Sequence, residues 1–292
     1  MSNKINLEFP GVLDSADEAS LAAQKESIFL IKLQLSFLLL TTILSAFIGL
    51  YRGLLILVAI SMVGSLFVTS LIRIRKKERV WFDGRALAES IKTLCWRYMI
   101  GAEPFKTAIP DEEVDKLFIE SIKSVWQERK NLSSVLISNS KNQTYLTETM
   151  KEIRNLDFHQ RMELYLEHRV QNQQKWYSDK CKYNRKRETW LFNASFLFQI
   201  LAIIYIIILA NQNWTINITG ILSALVTITI TWLQVKQHQE LAQAYGVAAQ
   251  ELTFIHSMSF EVKSEDSLSD YVNESENAIS REHTLWVARR GQ

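Results

Sequence analysis

Residues 67–79 read FVTSLIRIRKKER, so that an uncharged apolar run changes there into a run of basic residues. The apolar side reaches back to Leu54. As a helix, residues 54–72 would be roughly 28 Å long, which matches the hydrocarbon core of a bilayer. An apolar span that ends in basic residues is typical of a transmembrane helix at its positively charged side. The stretch therefore predicts a membrane protein and fixes the direction of its crossing.

Four stretches of the chain have the length and composition of a membrane span, and links of a few residues join them in pairs. We predict a first transmembrane hairpin over residues 33–72 and a second over residues 190–235. Soluble helices keep a polar face, and these stretches do not, so a buried soluble hairpin is the weaker interpretation. Tryptophans near span ends suit the membrane interface: Trp190, Trp214 and Trp232.

Basic residues mark one side of the predicted membrane. They follow the first hairpin and precede the second: Arg73, Arg75, Lys76, Lys77, Arg79, Lys180, Lys182, Arg185, Lys186 and Arg187. Arg52 is the basic residue on the other side. The positive-inside rule then places both termini in the cytosol and the protein in the inner (plasma) membrane as a multi-pass protein. Binding of anionic lipid or nucleic acid is the alternative reading of these runs; we expect the lipid bilayer as partner, and no nucleic acid.

The remaining segments are predicted to form a cytosolic helical domain, which makes the fold all-α. An entry helix lies in residues 1–32, and an exit helix with a helical linker in residues 73–155. A long entry helix is expected in residues 156–189, followed after the second hairpin by an exit helix and an amphipathic C-terminal helix in residues 236–292. The apolar stripe after residue 86 predicts that the exit helix leaves the membrane without a break.

The two hairpins form an internal repeat. A shift of about 161 residues lays Leu54 on Thr215 and Arg73 on Gln234 without a gap. Both copies run from the cytosol outward and back, so they are parallel repeats related by an axis along the membrane normal. Such repeats suit a ring-like assembly better than an alternating-access transporter.

No catalytic motif is recognisable in the sequence. It contains no Gly-rich phosphate loop and no dinucleotide fingerprint, and its histidines are scattered. Cys95 and Cys181 are expected to be reduced cytosolic thiols. Glu89 is the best single acid, for which a structural ion pair with Arg85 or Arg97 is favoured. We therefore expect no enzyme activity, no cofactor and no metal.

The spans carry hydroxyl groups but no Asp, Glu, Lys or Arg, which argues against a pump or a proton-coupled carrier. Hydroxyls recur on one face of the second span and on one face of the fourth: Ser61, Ser65, Thr69, Ser223, Thr227 and Thr231. They could line a passive water-filled path. Close helix packing through small residues requires the same spacing and is favoured.

Aromatic and charged residues on the predicted stalk helices resemble a known superfamily. They precede the second hairpin, follow the first, and recur in the tail: Tyr165, Arg169, Trp176, Tyr177; Trp81, Gly84, Arg85, Glu89; and Trp286. This pattern resembles the SLATT superfamily, two-transmembrane effector domains associated with SMODS nucleotidyltransferases and SLOG sensors in bacterial conflict systems. Two tandem copies would cover nearly the whole chain. The first copy lacks the Tyr, Arg and Trp-Tyr set.

The resemblance implies an effector of anti-phage (antiviral) defence that oligomerises and forms a pore or disrupts the membrane. A cytosolic sensor protein or a nucleotide signal would trigger it, and we expect a homo-oligomer. The alternative is a non-enzymatic membrane scaffold or sensor that recruits a cytosolic partner through the striped helices near residues 111–130 and 265–288.

Overall fold

The computed structural model describes residues 7–129, 132, 144–211 and 216–290, without the side chains of residues 211 and 281–290. Every regular element in these ranges is helical, which confirms the all-α prediction. The chain forms two compact units. We call Met1–Gln24, Glu78–Asp179 and Ala244–Gln292 the polar unit, and Lys25–Lys77 and Lys180–Gln243 the membrane unit.

The helices follow one another with short links. In chain order they are α1 (Gly11–Ala46), α2 (Leu54–Arg75), α3 (Lys77–Ile100), α4 (Asp111–Gln127), α5 (Glu148–Arg154), α6 (Phe158–Tyr165), α7 (Asn172–Asn211), α8 (Thr219–Lys236), α9 (His238–Ser257) and α10 (Glu265–Arg290). A π-helical turn, Leu166–Gln171, joins α6 to α7, and a 3-10 turn, Ser259–Glu261, follows α9. The long entry helix is therefore continuous through the π turn, as predicted. Trp214 lies outside the described residues.

The membrane unit contains the four apolar helical stretches that could cross a bilayer. Only 6–11% of each stretch is buried, and large side chains such as Leu66 and Phe196 face outward. In water this would be unfavourable, whereas in hydrocarbon it is the expected arrangement. In the first hairpin α1 and α2 pack closely, because Gly64 leaves room for the ring of Phe37.

The polar unit buries an aromatic core. Tyr98 of α3 packs against Phe105 and Phe118, with ring centroids 6.0 and 4.8 Å away. The α3 helix ends at Ile100 because Gly101 adopts a left-handed conformation at φ 77°. The stripes that we proposed as partner surfaces on α4 and α10 face this core: Val114, Phe118, Ile122, Leu268, Tyr271, Val272 and Ile279 are buried.

The prediction that the exit helices leave the membrane without a break was wrong. Lys76, at φ 43° and ψ 35°, ends α2, and Gln237, at φ 49° and ψ 42°, ends α8. A left-handed residue other than glycine costs about 1–2 kcal/mol, because its Cβ crowds the following carbonyl oxygen. The repeat shift lays one of these residues on the other, so both copies break at the same register.

Candidate functional site

A buried ion pair lies within the polar unit. The guanidinium of Arg169 and the carboxylate of Glu276 are 1% and 0% exposed. Arg169 donates from Nε to Oε1 at 2.8 Å and from Nη2 to Oε2 at 2.7 Å. The two parallel bonds form the bidentate fork in which arginine and carboxylate interact most strongly. Burial disfavours the charged form of Arg169, but the Glu276 carboxylate more than offsets this effect and raises the guanidinium pKa.

Two hydroxyl groups complete the surroundings of the Glu276 carboxylate. Tyr165 Oη donates to Oε1 at 3.1 Å, and Thr93 Oγ1 donates to Oε2 at 2.8 Å. Burial, with the nearby carboxylate, raises the pKa of Tyr165 well above its ordinary value, so its hydroxyl stays a donor. One carboxylate of α10 thus binds α3 from the first copy and the α6–π-turn segment from the second. We call Thr93, Tyr165, Arg169 and Glu276 the carboxylate cluster.

One donor of the cluster is left over. Among the described residues, Nη1 of Arg169 has no hydrogen-bond partner although it is buried. A buried unsatisfied donor costs about 1–3 kcal/mol. Arg169 lies in the π-helical turn, and such turns are frequent at functional sites. The cluster therefore combines strong bonds with one unsatisfied donor. Breaking the cluster would cost free energy, but the unsatisfied donor makes that cost smaller.

Two further buried arginines hold the end of α3. Arg154 donates to the carbonyl oxygens of Tyr98 at 3.0 Å and Phe105 at 2.8 Å. Arg161 donates to the carbonyl oxygen of Ile100 and to Glu265. Sequence analysis missed both arginines, because an isolated arginine between apolar helix positions normally indicates an exposed face. One signal in the sequence could have indicated their role: Arg154, Arg161 and Arg169 recur along one segment.

The motif residues after the first hairpin serve helix packing. Trp81 is buried, and its carbonyl oxygen accepts a 2.8 Å hydrogen bond from Ser20 Oγ. A Cβ added at Gly84 would lie 3.2 Å from the Ala16 carbonyl oxygen and from Ser20 Cβ, so a side chain here would require α1 to shift by a few tenths of an ångström. Burial raises the pKa of Asp17 on α1, and the charge of Glu89 adds to the effect.

Charged motif residues on α3 are only partly buried. Arg85 and Glu89 lower and raise the pKa of Asp17, respectively, so both approach α1. Arg97, which we considered as a partner of Glu89, instead donates from Nη2 to Asn277 Oδ1 at 3.1 Å. Of the two arginines that we considered as ion-pair partners of Glu89, only Arg85 therefore remains.

The remaining aromatic motif residues form a separate cluster with α9. Tyr245 lies 5.3 Å from the ring of Trp176 and 5.7 Å from that of Tyr177. Tyr177 is buried, and its hydroxyl donates to the Ile279 carbonyl oxygen at 3.4 Å. The motif therefore does not form one site. The side chain of Trp286 lies outside the described residues.

The six hydroxyl residues of the spans divide into two groups. Ser61 Oγ lies 2.8 Å from Thr41 Oγ1, and Ser65 Oγ accepts from Gln34 Nε2 at 2.9 Å, so both pack inside the first hairpin. The others are exposed or partly exposed: Thr69, Ser223, Thr227 and Thr231. Helix packing accounts for the first group, and the second group remains a candidate pore lining.

In the described part of the chain, no group of three His, Cys, Asp or Glu side chains is placed to hold a metal ion. Burial raises the pKa of the Cys95 thiol, so this cysteine is a poor nucleophile at neutral pH.

Comparison with known families gives two matches in tandem. The family described as "SMODS and SLOG-associating 2TM effector domain 3" matches residues 10–162, and that described as "SMODS and SLOG-associating 2TM effector domain 1" matches residues 165–286. The boundary, between residues 162 and 165, falls in the last turn of α6, and the two tandem matches agree with the repeat found in the sequence. No curated protein and no solved structure shows significant similarity to the chain.

Proposed function

Because this chain belongs to the SLATT family of two-transmembrane effector domains and carries two of them in tandem, we propose that it is an inner-membrane effector of a bacterial conflict system. In this proposal copies of the chain assemble and, when triggered from the cytosolic side, form a pore or disrupt the membrane. The observation that carries it is the combination of four charge-free apolar stretches with exposed hydroxyl groups on successive turns of the fourth.

The carboxylate cluster supplies the element that a trigger would act on. It ties α10 to helices from both copies through a single carboxylate. Removal of one partner from a buried ion pair costs about 3–5 kcal/mol, so a ligand or partner that displaced α10 would have to offset a penalty of that size. The cluster would therefore hold the resting state until a specific signal arrives. Helices α1 and α7, which each contribute residues to both units, would carry the change toward the membrane.

The exposed hydroxyls of α8 would line the path. Ser223 and Thr227 are exposed on successive turns, and Thr227 Oγ1 is already bonded to the Ser223 carbonyl oxygen at 3.0 Å. Threonine and serine hydroxyls can bond to the preceding turn in lipid and bind water in an open pore, which makes such a face compatible with both states.

The proposal is tested by expressing the chain without its partners in bacterial cells that contain a voltage-sensitive dye. We expect loss of membrane potential after induction. The variant Ser223→Leu/Thr227→Leu removes the hydroxyl face and should preserve the potential. The matched control is Ser36→Leu/Ser70→Leu, which changes two exposed hydroxyls outside the predicted path and should still depolarise the cells.

An unchanged potential on expression of the wild-type chain at a confirmed membrane level would overturn the effector proposal. Equal depolarisation by both double variants would show that the path does not run along α8.

The scaffold alternative has one observation in its favour. The polar unit exposes an apolar face at the end of α9 and in the following 3-10 turn, where Val247, Phe254 and Phe260 are 61%, 61% and 74% exposed. Exposed apolar patches of this kind mark interaction sites. An intact potential together with a stably co-purifying partner, lost in Phe254→Ser, would favour this function.

A further inference from the structure

The two copies differ in charge at the point where the exit helices break. In the first copy Glu26 of α1 lies beside the break at Lys76. Its carboxylate pairs with Arg75 Nη1 at 2.5 Å and with Lys77 Nζ at 3.0 Å. The bonds from these cations lower the Glu26 pKa, that from Lys77 most. One carboxylate thus offsets part of the positive charge of the first junction from within the chain.

The second copy replaces the acid by a base. The repeat shift lays the three first-copy residues on Arg187, Lys236 and His238, in that order. The equivalent of the carboxylate is therefore a guanidinium. Three groups that can carry positive charge surround the break at Gln237, and the internal anion of the first copy has no counterpart at its position.

Aromatic rings hold these cations in place. Lys236 Nζ lies 5.4 Å from the centre of the Trp232 ring, and Lys32 Nζ of α1 lies 5.7 Å from the same ring. Arg187 Cζ lies 5.4 Å from the ring of Tyr183. At these distances the rings attract cations, so the side chains are oriented rather than spread into solvent. Basic groups from α1, α7 and α8 thereby converge at one end of the membrane unit.

Among the described residues, no carboxylate oxygen lies within 4.0 Å of a side-chain nitrogen of Lys32 or Arg187. His238 is 7% exposed, and Nδ1 of its ring lies 2.8 Å from Asn184 Oδ1. Burial, together with the charges of Lys236 and Arg187, lowers the His238 pKa, so its ring is neutral at neutral pH. Cations gathered in this way repel one another unless an anion joins them.

We propose that Lys32, Arg187 and Lys236 form a phosphate-binding site at the basic end of the membrane unit, with Trp232 and Tyr183 as its walls. Ammonium and guanidinium groups supply the charge and the donors that a phosphate oxygen accepts. The same chemistry is offered by the headgroup of an anionic phospholipid and by a soluble phosphate compound. Position favours the lipid, because basic pockets between transmembrane helices at the cytosolic face commonly bind anionic headgroups.

The test uses the full chain purified in an uncharged detergent. Short-chain phosphatidylglycerol, short-chain phosphatidylcholine and inorganic phosphate are titrated separately, and bound molecules are counted by native mass spectrometry. We expect saturable retention of phosphatidylglycerol over phosphatidylcholine. A direct bond from a charged side chain to the phosphate contributes at least about 1 kcal/mol, so loss of two such bonds in Lys32→Gln/Lys236→Gln should weaken binding about 25-fold.

The matched control is Lys25→Gln/Lys186→Gln. It removes the same charge from exposed positions at the same end of the membrane unit but outside the site, so it should weaken binding clearly less than the site variant does, because no direct contact to the phosphate is lost. An equal loss in both double variants would overturn the proposal, because the basic residues would then act only through their summed charge. Saturable binding of inorganic phosphate at the affinity of phosphatidylglycerol, lost only in the site variant, would support the site and assign it to a soluble phosphate.

The variant Arg187→Glu is the sharper experiment, because it rebuilds the first junction in the second copy. An internal carboxylate would then compete with the phosphate. We expect affinity to fall about 25-fold while the thermal midpoint stays the same or rises, since a repulsion is replaced by an ion pair. Unchanged affinity in this folded variant would rule out Arg187 as part of the site.

Discussion

The helix pair α1–α3 of the first copy and the pair α7–α9 of the second solve one packing problem in opposite ways. In the first, Gly84 lies so close to Ala16 and Ser20 that a side chain would require α1 to shift. At the equivalent positions of the second, Tyr245 faces Tyr177 with ring centroids 5.7 Å apart. Contact between small residues in the first copy thus corresponds to contact between two aromatic rings in the second.

The difference explains why the first copy lacks the Trp-Tyr motif. Its entry helix places Ser15 and Ala16 at the positions of Trp176 and Tyr177. Aromatic rings at these two positions of α1 would collide with α3, which lies close to α1 at Gly84. The Trp-Tyr motif therefore serves the packing of α7 against α9. In the first copy its absence reflects a different packing of α1 against α3, not the loss of a site.

The largest effect is expected at the carboxylate cluster, which the first copy cannot form because Glu8 takes the place of Arg169. The substitution Glu276→Gln leaves a buried guanidinium without its counter-charge. We predict a loss of about 3–5 kcal/mol in unfolding free energy. Thermal unfolding of the purified protein in detergent measures it.

The control for this prediction is Arg169→Met/Glu276→Leu, which removes both charges. Apolar replacement of a buried ion pair is often neutral or stabilising. The double variant also deprives the Thr93 and Tyr165 hydroxyls of their acceptor, so it should unfold below the wild-type temperature but above that of Glu276→Gln. A single variant as stable as the double one would mean that the cluster does not hold α10.

The second prediction concerns the ring packing of the second copy. Tyr245→Ala should destabilise the protein by about 3 kcal/mol, because it leaves a cavity beside Trp176 and Tyr177. On the same helix Phe254→Ala removes a side chain that is 61% exposed and should have little effect. Equal midpoints for the two variants, measured by differential scanning fluorimetry, would contradict the role given to Tyr245.

The third prediction applies the opposite change to the first copy. Gly84→Leu places a large side chain where atoms of α1 already lie at 3.2 Å. Overpacking of this kind should cost about 2 kcal/mol. Gly220→Leu is the control, since nothing lies within 4 Å of its added Cβ. Chemical denaturation that ranks the two variants equally would show that α1 can move away from α3 without cost.

The smallest effect is expected at the first junction. Glu26→Gln removes an ion pair that is partly exposed to solvent, which is worth about 0.2–1 kcal/mol. Because the folded-state pKa of Glu26 is lowered from its ordinary 4.5, the pair stabilises the protein above that value and is lost as pH falls through the folded pKa. The difference in thermal midpoint between wild type and variant should thus vanish in acid. A difference that does not shrink as the pH is lowered below 4.5 would have another origin.

Most of the membrane unit could be predicted from sequence because its signal is local. A span needs only an uninterrupted apolar stretch, and a short link between two stretches forces a hairpin. The stripe on α4 was equally legible, since Val114, Phe118 and Ile122 repeat at helical spacing.

What sequence could not give depends on distant partners. Arg154 and Arg169 read as surface residues until carbonyl groups and a carboxylate from elsewhere in the chain surround them. The breaks at Lys76 and Gln237 carry neither glycine nor proline, so no local signal announces them. The division of the hydroxyls was hidden for the same reason, because Ser61 and Ser223 differ only in whether another helix covers them.

The two left-handed residues also bear on how the two copies are related. Lys76 and Gln237 share a rare backbone conformation at one register but not a side chain. Independent origin would require the same unfavourable conformation to arise twice at matching positions. A common origin of the two copies accounts for the shared break with a single event. The charge beside the break and the exchange of glycine for tyrosine are where the copies differ.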